Sequence, residues 1–181
     1  MSQRSYLVLN VVLITLSQCY VMFQYFKSAR SKKAVSNFFV WAIVAAFLFY
    51  DYYFRLNIPE FIVTCTVLTV IGHCLLGNYL DYYHRSKRYD RGLHLFGAFS
   101  FSLLVYFILN GITPFEANNL YRILFVITMG ISIGTLFEIL EFIHDTVSNK
   151  AKCQHGLADT DYDMIFNALG ALIAGLMVPY L

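Results

Sequence analysis

Charged residues are scarce in this sequence, and that scarcity argues against an ordinary soluble domain. Only 13% of the 181 residues are Asp, Glu, Lys or Arg, whereas 59% are hydrophobic, well above the roughly 45–50% of globular proteins. The net charge is only +2 and the basic residues lie in loops, so nucleic acid is not an expected partner. Long apolar runs with short polar breaks instead predict a chain whose partners are membrane lipids.

Paired cysteines and several catalytic motifs are also missing. Cys19, Cys65 and Cys74 lie in apolar segments and Cys153 lies in a polar loop, without the spacing of a disulfide framework or a zinc knuckle. We expect these thiols to be packing residues. The sequence also lacks the phosphate-binding GxxxxGK motif and the HExxH zinc motif, which excludes P-loop enzymes and zincins.

Six apolar runs predict six transmembrane helices in a single all-α domain. The first run is interpreted as a retained helix, because its basic cluster follows the apolar stretch and no small-residue cleavage site is evident. The predicted spans are approximately 5–26, 38–54, 58–80, 93–112, 120–143 and 163–181. Spans of about 20 residues each leave only enough chain for loops. The sequence therefore predicts a polytopic membrane protein.

Basic residues are divided unevenly between alternate connections, and this predicts the orientation of the chain, since short basic loops stay in the cytoplasm. One set of connections holds ten of them: Lys27, Arg30, Lys32, Lys33, Arg85, Lys87, Arg88, Arg91, Lys150 and Lys152. The other set holds Arg4, Arg55 and Arg122. This asymmetry predicts that both termini are extracytoplasmic.

Most ionisable side chains fall at or beside the predicted cytoplasmic boundary. The carboxylates there are Asp81, Asp90, Glu138, Glu141, Asp145, Asp159, Asp161 and Asp163, and the histidines are His84, His94, His144 and His155. Only Asp51, Glu60 and Glu116 among the carboxylates lie elsewhere. Because ionisable groups near membrane depth are costly, their concentration indicates a functional site or a paired network.

Helical spacing gathers these residues into stripes, since positions three and four apart share one face of a helix. The stripes are His73, Gly77 and Asp81; Asp90, His94 and Gly97; Gly130, Gly134, Glu138, Glu141 and Asp145; and Asp163, Asn167, Gly170 and Ala174. We expect all four stripes to turn inward. Gly134 and Gly170 should then lie against neighbouring helices at close approach.

The inward stripes have the ligand types of a carboxylate-rich metal site in a helix bundle. The expected ligands are His94, Glu138, Glu141 and Asp163. The expected cofactor is a divalent metal, with magnesium, calcium, manganese, zinc and iron all open. Asp90 and His144 are candidate general acids or bases, and Asn167, Arg88 and Arg91 are candidate substrate-binding residues. A metal-dependent enzyme acting on lipid or envelope-precursor head groups is the leading hypothesis.

Structural roles for the same residues are the alternative. The carboxylates and histidines could form an ion-paired network with Arg88, Arg91 or Lys152, or couple protons or ions in a protein that is not an enzyme. Asp161 is expected to cap the last helix. His73 is expected to be a hydrogen-bonded interhelical residue rather than a ligand.

Three segments of the second half resemble a known family. They are Arg88-Tyr-Asp-Arg-Gly-Leu-His-Leu-Phe-Gly, Gly134-Thr-Leu-Phe-Glu-Ile-Leu-Glu-Phe and Asp159-Thr-Asp-Tyr-Asp-Met-Ile-Phe-Asn-Ala-Leu-Gly. These segments, in this order along the chain, resemble those of the YjdF-like inner-membrane proteins and, more distantly, those of VanZ-like proteins. This resemblance implies a multi-pass protein of the bacterial plasma membrane. The similarity to VanZ-like proteins is to the general order of His, Glu and Asp helices, and does not imply their association with glycopeptide resistance.

Overall fold

The computed structural model describes residues 3–114, 116–148 and 156–181, and the regular structure in these ranges is entirely helical. The helices are α1 (Gln3–Lys27), α2 (Ser31–Phe54), α3 (Glu60–Ile71), α4 (Tyr82–Arg85), α5 (Lys87–Ile112), α6 (Asn119–Ser148) and α7 (Leu157–Met177). A π-helix, Gly72–Tyr79, continues α3, and a 3₁₀ turn, Val178–Tyr180, follows α7. Within the described ranges, six helical segments are long and apolar enough to cross a membrane. The all-α, six-span prediction is therefore confirmed.

Three helices begin six or seven residues before their predicted spans. α2 begins at Ser31, α5 at Lys87 and α7 at Leu157, because their polar first turns are helical although they add nothing to an apolar run. The predicted cap at Asp161 is wrong, since this exposed residue lies inside α7. The N-cap is Gly156, whose φ of 114° favours glycine.

The chain divides into two compact units, residues 1–86 and 87–181. In the first unit, α1 packs against α2 and α3. The Trp41 indole N–H donates to the Thr15 hydroxyl at 3.2 Å, which joins α1 to α2. The Asn10 amide donates to the Thr64 hydroxyl at 3.1 Å, which joins α1 to α3. Single-domain organisation stays a prediction.

The π-helix changes the direction of side chains on the third span. An α-helical stripe of His73, Gly77 and Asp81 was expected to turn inward, yet the structure leaves His73 and Asp81 exposed and buries Gly77. The expectation is wrong because hydrogen bonds five residues apart widen each turn and shift the three-and-four spacing. The His73 ring instead approaches the Tyr83 hydroxyl at 2.7 Å and the Asn78 amide at 3.0 Å. Its predicted role as a hydrogen-bonded histidine is confirmed.

The second unit consists of α5, α6 and α7, with glycines where the helices meet. A Cβ on Gly170 would overlap the backbone carbonyl of Leu95 in α5. A Cβ on Gly134 would lie 2.6 Å from Asn167 Cβ in α7. The predicted close approach at both glycines is confirmed. The Gly134 face of α6 therefore packs against α7, and the Gly170 face of α7 packs against α5.

The orientation in the membrane stays a prediction. Four residues that bear on it or on the predicted cluster, Lys150, Lys152, Cys153 and His155, lie outside the described residues.

Candidate metal centre

Helix α5 supplies an aspartate and a histidine one turn apart. Ser86, in extended conformation, ends α4, and α5 begins at Lys87 with Asp90 in its first turn, where a carboxylate is favoured by the helix dipole. His94 follows four residues later on the same face. Its Nε2 lies 3.5 Å from Asp90 Oδ1, and both side chains are only 13% exposed.

Helix α7 supplies a second aspartate and an amide. Asp163 and Asn167 are also four residues apart and are each 4% exposed. Asn167 Oδ1 lies 3.3 Å from His94 Nδ1. Neither Asp163 Oδ1 nor Asn167 Nδ2 has a hydrogen-bond partner among the residues that the structure describes. Two buried polar atoms at this site are therefore available to a ligand.

Helix α6 contributes Glu138, which is 5% exposed and, like Asn167, lies near Nδ1 of the His94 ring. Glu138 Oε1 is 3.5 Å from His94 Nδ1. Gly134, one turn earlier, lets α6 approach the Asn167 side chain. The two ring nitrogens of His94 thus have different neighbours, with Asp90 at Nε2 and Glu138 and Asn167 at Nδ1.

Asp90, His94 and Asp163 form a three-residue group that could hold a metal ion. One ligand atom from each lies within 4.8 Å of the others. Two atoms bound to one ion at about 2.0–2.6 Å are separated by at most about 4–5 Å, so these spacings fit a shared ion. In the described part of the chain, no lysine or arginine forms an ion pair with Asp90 or Asp163. The residues present therefore fit a divalent metal.

Comparison with known proteins places the chain in a family. A family described as "Predicted membrane protein (DUF2238)" matches residues 8–181. The chain belongs to this DUF2238 family. It is also similar to an "Uncharacterized protein" of Thermotoga maritima strain MSB8, at 29% identity over 162 residues, which cover 90% of this chain and 84% of the relative. No solved structure matches the chain.

Other sequence-predicted residues are not members of the three-residue group. Glu141 is half-buried one turn beyond Glu138, and Arg88 is exposed. Arg91 stacks its guanidinium on the Tyr162 ring, 4.0 Å from the ring centroid. The structure does not bring His144 to the group, since its side chain is 56% exposed and its Nδ1 lies 3.3 Å from Asp145.

Two contacts at the start of α5 and α7 were not predicted. Lys87 Nζ lies 4.0 Å from the buried Asp159 carboxylate. The Arg91 guanidinium stacks on the ring of Tyr162. Lys87 and Asp159 were both recognised in the sequence as boundary residues, but their pairing requires α7 to begin six residues before the predicted span.

One segment of α6 matches a serine-hydrolase pattern by sequence alone. Residues 130–134 read Gly-Ile-Ser-Ile-Gly, the GxSxG spacing of a nucleophile elbow. The elbow requires a sharp strand-to-helix turn, whereas these residues lie inside the continuous helix α6. The hydroxyl of Ser132 donates to the Thr128 carbonyl at 2.8 Å, so this serine is not a nucleophile candidate.

Proposed function

We propose that this protein is a membrane-embedded, metal-dependent enzyme that acts on lipid or envelope-precursor head groups, with Asp90, His94 and Asp163 as metal ligands. The observation that carries the proposal is the convergence of these three ligand atoms within 4.8 Å, at a site where Asp163 is buried. A buried carboxylate needs a compensating charge. A divalent ion supplies that charge.

The neighbours of His94 support a specific arrangement of ligands. If Nδ1 carries the proton, it donates to Asn167 or Glu138 and leaves the Nε2 lone pair facing Asp90. Histidines that ligate metals commonly donate their other ring N–H to a carboxylate or carbonyl oxygen, which fixes the ring. Glu138, first expected to be a ligand, is therefore assigned to positioning His94, and Asp90, first expected to be an acid or base, is assigned as a ligand.

The chemistry proposed for the site follows from these roles. A bound divalent metal would lower the pKa of a water molecule or hold a phosphate oxygen. Asn167 Nδ2 would donate a hydrogen bond that orients the substrate, since it has no partner among the described residues. Glu141, half-buried beside Glu138, is the candidate general base.

The substrate class is proposed from the position of the site. Asp90 lies in the first turn of α5 and Asp163 in the second turn of α7, so the ligands lie near the ends of spans, where head groups meet water. The exposed Arg88 near the same end of α5 would attract an anionic head group.

The proposed location is the cytoplasmic face of a bacterial plasma membrane. Support comes from the basic connections and from the resemblance to YjdF-like and VanZ-like proteins. The three segments that carry this resemblance belong to α5, α6 and α7, the helices that supply the candidate metal site.

Metal analysis of the purified full-length protein tests this proposal. After removal of metal by a chelator and dialysis against manganese, zinc, magnesium and calcium, we expect about one ion per chain. Asp163→Asn should lower the bound metal at least tenfold. Glu116→Gln removes an exposed carboxylate away from the site and should retain it.

Enzymatic activity is tested separately from metal binding. The metal-loaded protein in phospholipid nanodiscs should change the head-group composition of the lipids by mass spectrometry, and Asp163→Asn should not. A wild-type chain that binds no metal would support the alternative of an ion-paired scaffold. A chain that binds metal but leaves all offered head groups unchanged would remove the enzymatic part alone.

A further inference from the structure

A cavity in the first unit shares no lining residue with the three-helix metal site. Its volume is about 370 Å³, within the range of about 300–1,000 Å³ that is typical of ligand pockets. It lies where α1 begins, α2 ends and α3 begins, and its lining includes Tyr6, Asp51 and Glu60. Ends of three spans meet here, so a ligand could enter from the level of lipid head groups.

The charges of the cavity are of both signs and are not paired with each other. Asp51, Arg55 and Glu60 all contribute to its lining. None of them takes part in an ion pair between residues that the structure describes. The Asp51 carboxylate accepts a hydrogen bond from the Leu56 backbone, but two carboxylates and one guanidinium remain without an opposite charge and suit a ligand that carries both a positive and a negative group.

A buried amide adds an unused acceptor to the same lining. Asn10 is 1% exposed, and its Nδ2 donates to the Tyr6 carbonyl and the Thr64 hydroxyl, both at 3.1 Å. Its Oδ1 receives no hydrogen bond from any described residue. Because an unsatisfied buried acceptor costs free energy, this atom favours a ligand that donates a hydrogen bond.

The backbone beside the cavity has an uncommon conformation. Arg55 and Asn57, in the connection from α2 to α3, both have positive φ values, 51° and 56°. Residues other than glycine rarely adopt this conformation, and such positions cluster at ligand sites. Here the conformation ends α2 and places Arg55 in the cavity lining.

We propose that this cavity binds a zwitterion of the ethanolamine phosphate class, carried by a membrane lipid or present as a free solute. A primary ammonium has three N–H donors, and Asp51, Glu60 and Asn10 Oδ1 provide three acceptors. The guanidinium of Arg55 has the geometry that recognises phosphate. Tyr6 and Tyr52 also contribute to the lining, and aromatic rings attract cations.

The number of N–H donors on the head group should make the cavity selective for ethanolamine phosphate. A choline head group has the same charges but no N–H, so it cannot satisfy the three acceptors. A glycerol phosphate head group has no cation to neutralise Asp51 and Glu60. Ethanolamine phosphate should therefore bind more tightly than either of these groups.

Native mass spectrometry of the full chain in detergent tests the preference. The probes are phosphatidylethanolamine, phosphatidylcholine and phosphatidylglycerol with identical acyl chains. We expect the ethanolamine lipid to bind about tenfold more tightly than the other two. Asp51→Asn, Glu60→Gln and Arg55→Gln should each weaken its binding about tenfold, since each removes one charge-assisted contact.

Matched controls separate the cavity from general lipid attraction. Glu116→Gln and Arg122→Gln remove charges of each sign outside the cavity lining and should leave the preference unchanged. Asp163→Asn should also leave it unchanged, so failure here and failure of the proposed metal site are distinguishable. Thermal unfolding of each variant identifies any that does not fold, and the three cavity substitutions provide independent tests.

The remaining outcomes are also decisive. Competition by soluble glycerophosphoethanolamine at a concentration similar to that of the lipid would identify a free solute as the ligand, and its failure to compete would identify the lipid. Equal binding of the three lipids by the wild type would overturn the proposal. So would a loss of preference in the control variants as large as that in the cavity variants.

Discussion

Divalent metal at about a hundredfold its dissociation constant is expected to stabilise the wild-type protein by about 2.7 kcal/mol, if it binds only the folded state. For a chain of this size, this corresponds to an increase of roughly 5–10 °C in the unfolding temperature. The measurement is thermal unfolding in detergent, first with chelator and then with each metal. The physical reason is that the ion neutralises carboxylates gathered around His94.

Substitutions in the cluster should change this response in a defined way. Asp163→Asn and Glu138→Gln should each lose most of the metal-dependent increase. In chelator, their stability should hold or rise, because one member of a like-charged set has been neutralised. Glu116→Gln should respond as the wild type does.

The opposite pattern would favour the ion-paired scaffold. If the carboxylates are held by internal bases, loss of one partner leaves a buried charge unsatisfied, at a cost of about 3–5 kcal/mol. Variants strongly destabilised in chelator, together with a wild type that no metal stabilises, would contradict the metal-site account.

Gly170→Ala is expected to destabilise the protein by about 2–3 kcal/mol, the upper part of the range for overpacking a closely packed site. The added Cβ would overlap the Leu95 carbonyl and would lie 3.1 Å from the Phe99 backbone nitrogen. Both obstacles are backbone atoms of α5, so they cannot move as a side chain can. Thermal unfolding in detergent and chelator measures the loss without contribution from metal.

Gly92→Ala is the matched control for this change. Gly92 lies in α5, and a Cβ there would meet nothing within 4 Å. Alanine is favoured over glycine inside a helix by about 1 kcal/mol, so the control should be neutral or stabilising. Equal destabilisation by the two substitutions would contradict the packing of α7 against α5.

Hydropathy was sufficient to predict the six spans but not the helix ends. Apolar runs identify the residues that lie in the hydrocarbon core of the membrane. The first turns of α2 and α7 are polar and still helical, so hydropathy does not detect them. The error has a consequence at the site, because the Lys87–Asp159 contact lies in such a turn. The π-helix was likewise not predictable from α-helical spacing, which assumes a constant turn.

Helical spacing predicted which residues lie close together, whereas the roles assigned to them stay predictions. Spacing alone placed Asp90 with His94 and Asp163 with Asn167, and the structure brings both pairs to one site. It could not decide which carboxylates contact which ring nitrogen of His94, because that depends on the rotation and depth of three helices. The cavity in the first unit was missed because Asp51, Arg55 and Glu60 were considered only as charges outside the cytoplasmic cluster.

Electron paramagnetic resonance of the Mn²⁺-loaded, full-length protein with isotopically labelled histidine tests the proposed metal centre most directly. We expect hyperfine coupling from one histidine nitrogen. His94→Gln should remove this coupling, and His144→Gln should retain it. Bound manganese without histidine coupling, or coupling that survives His94→Gln, would contradict the proposed centre.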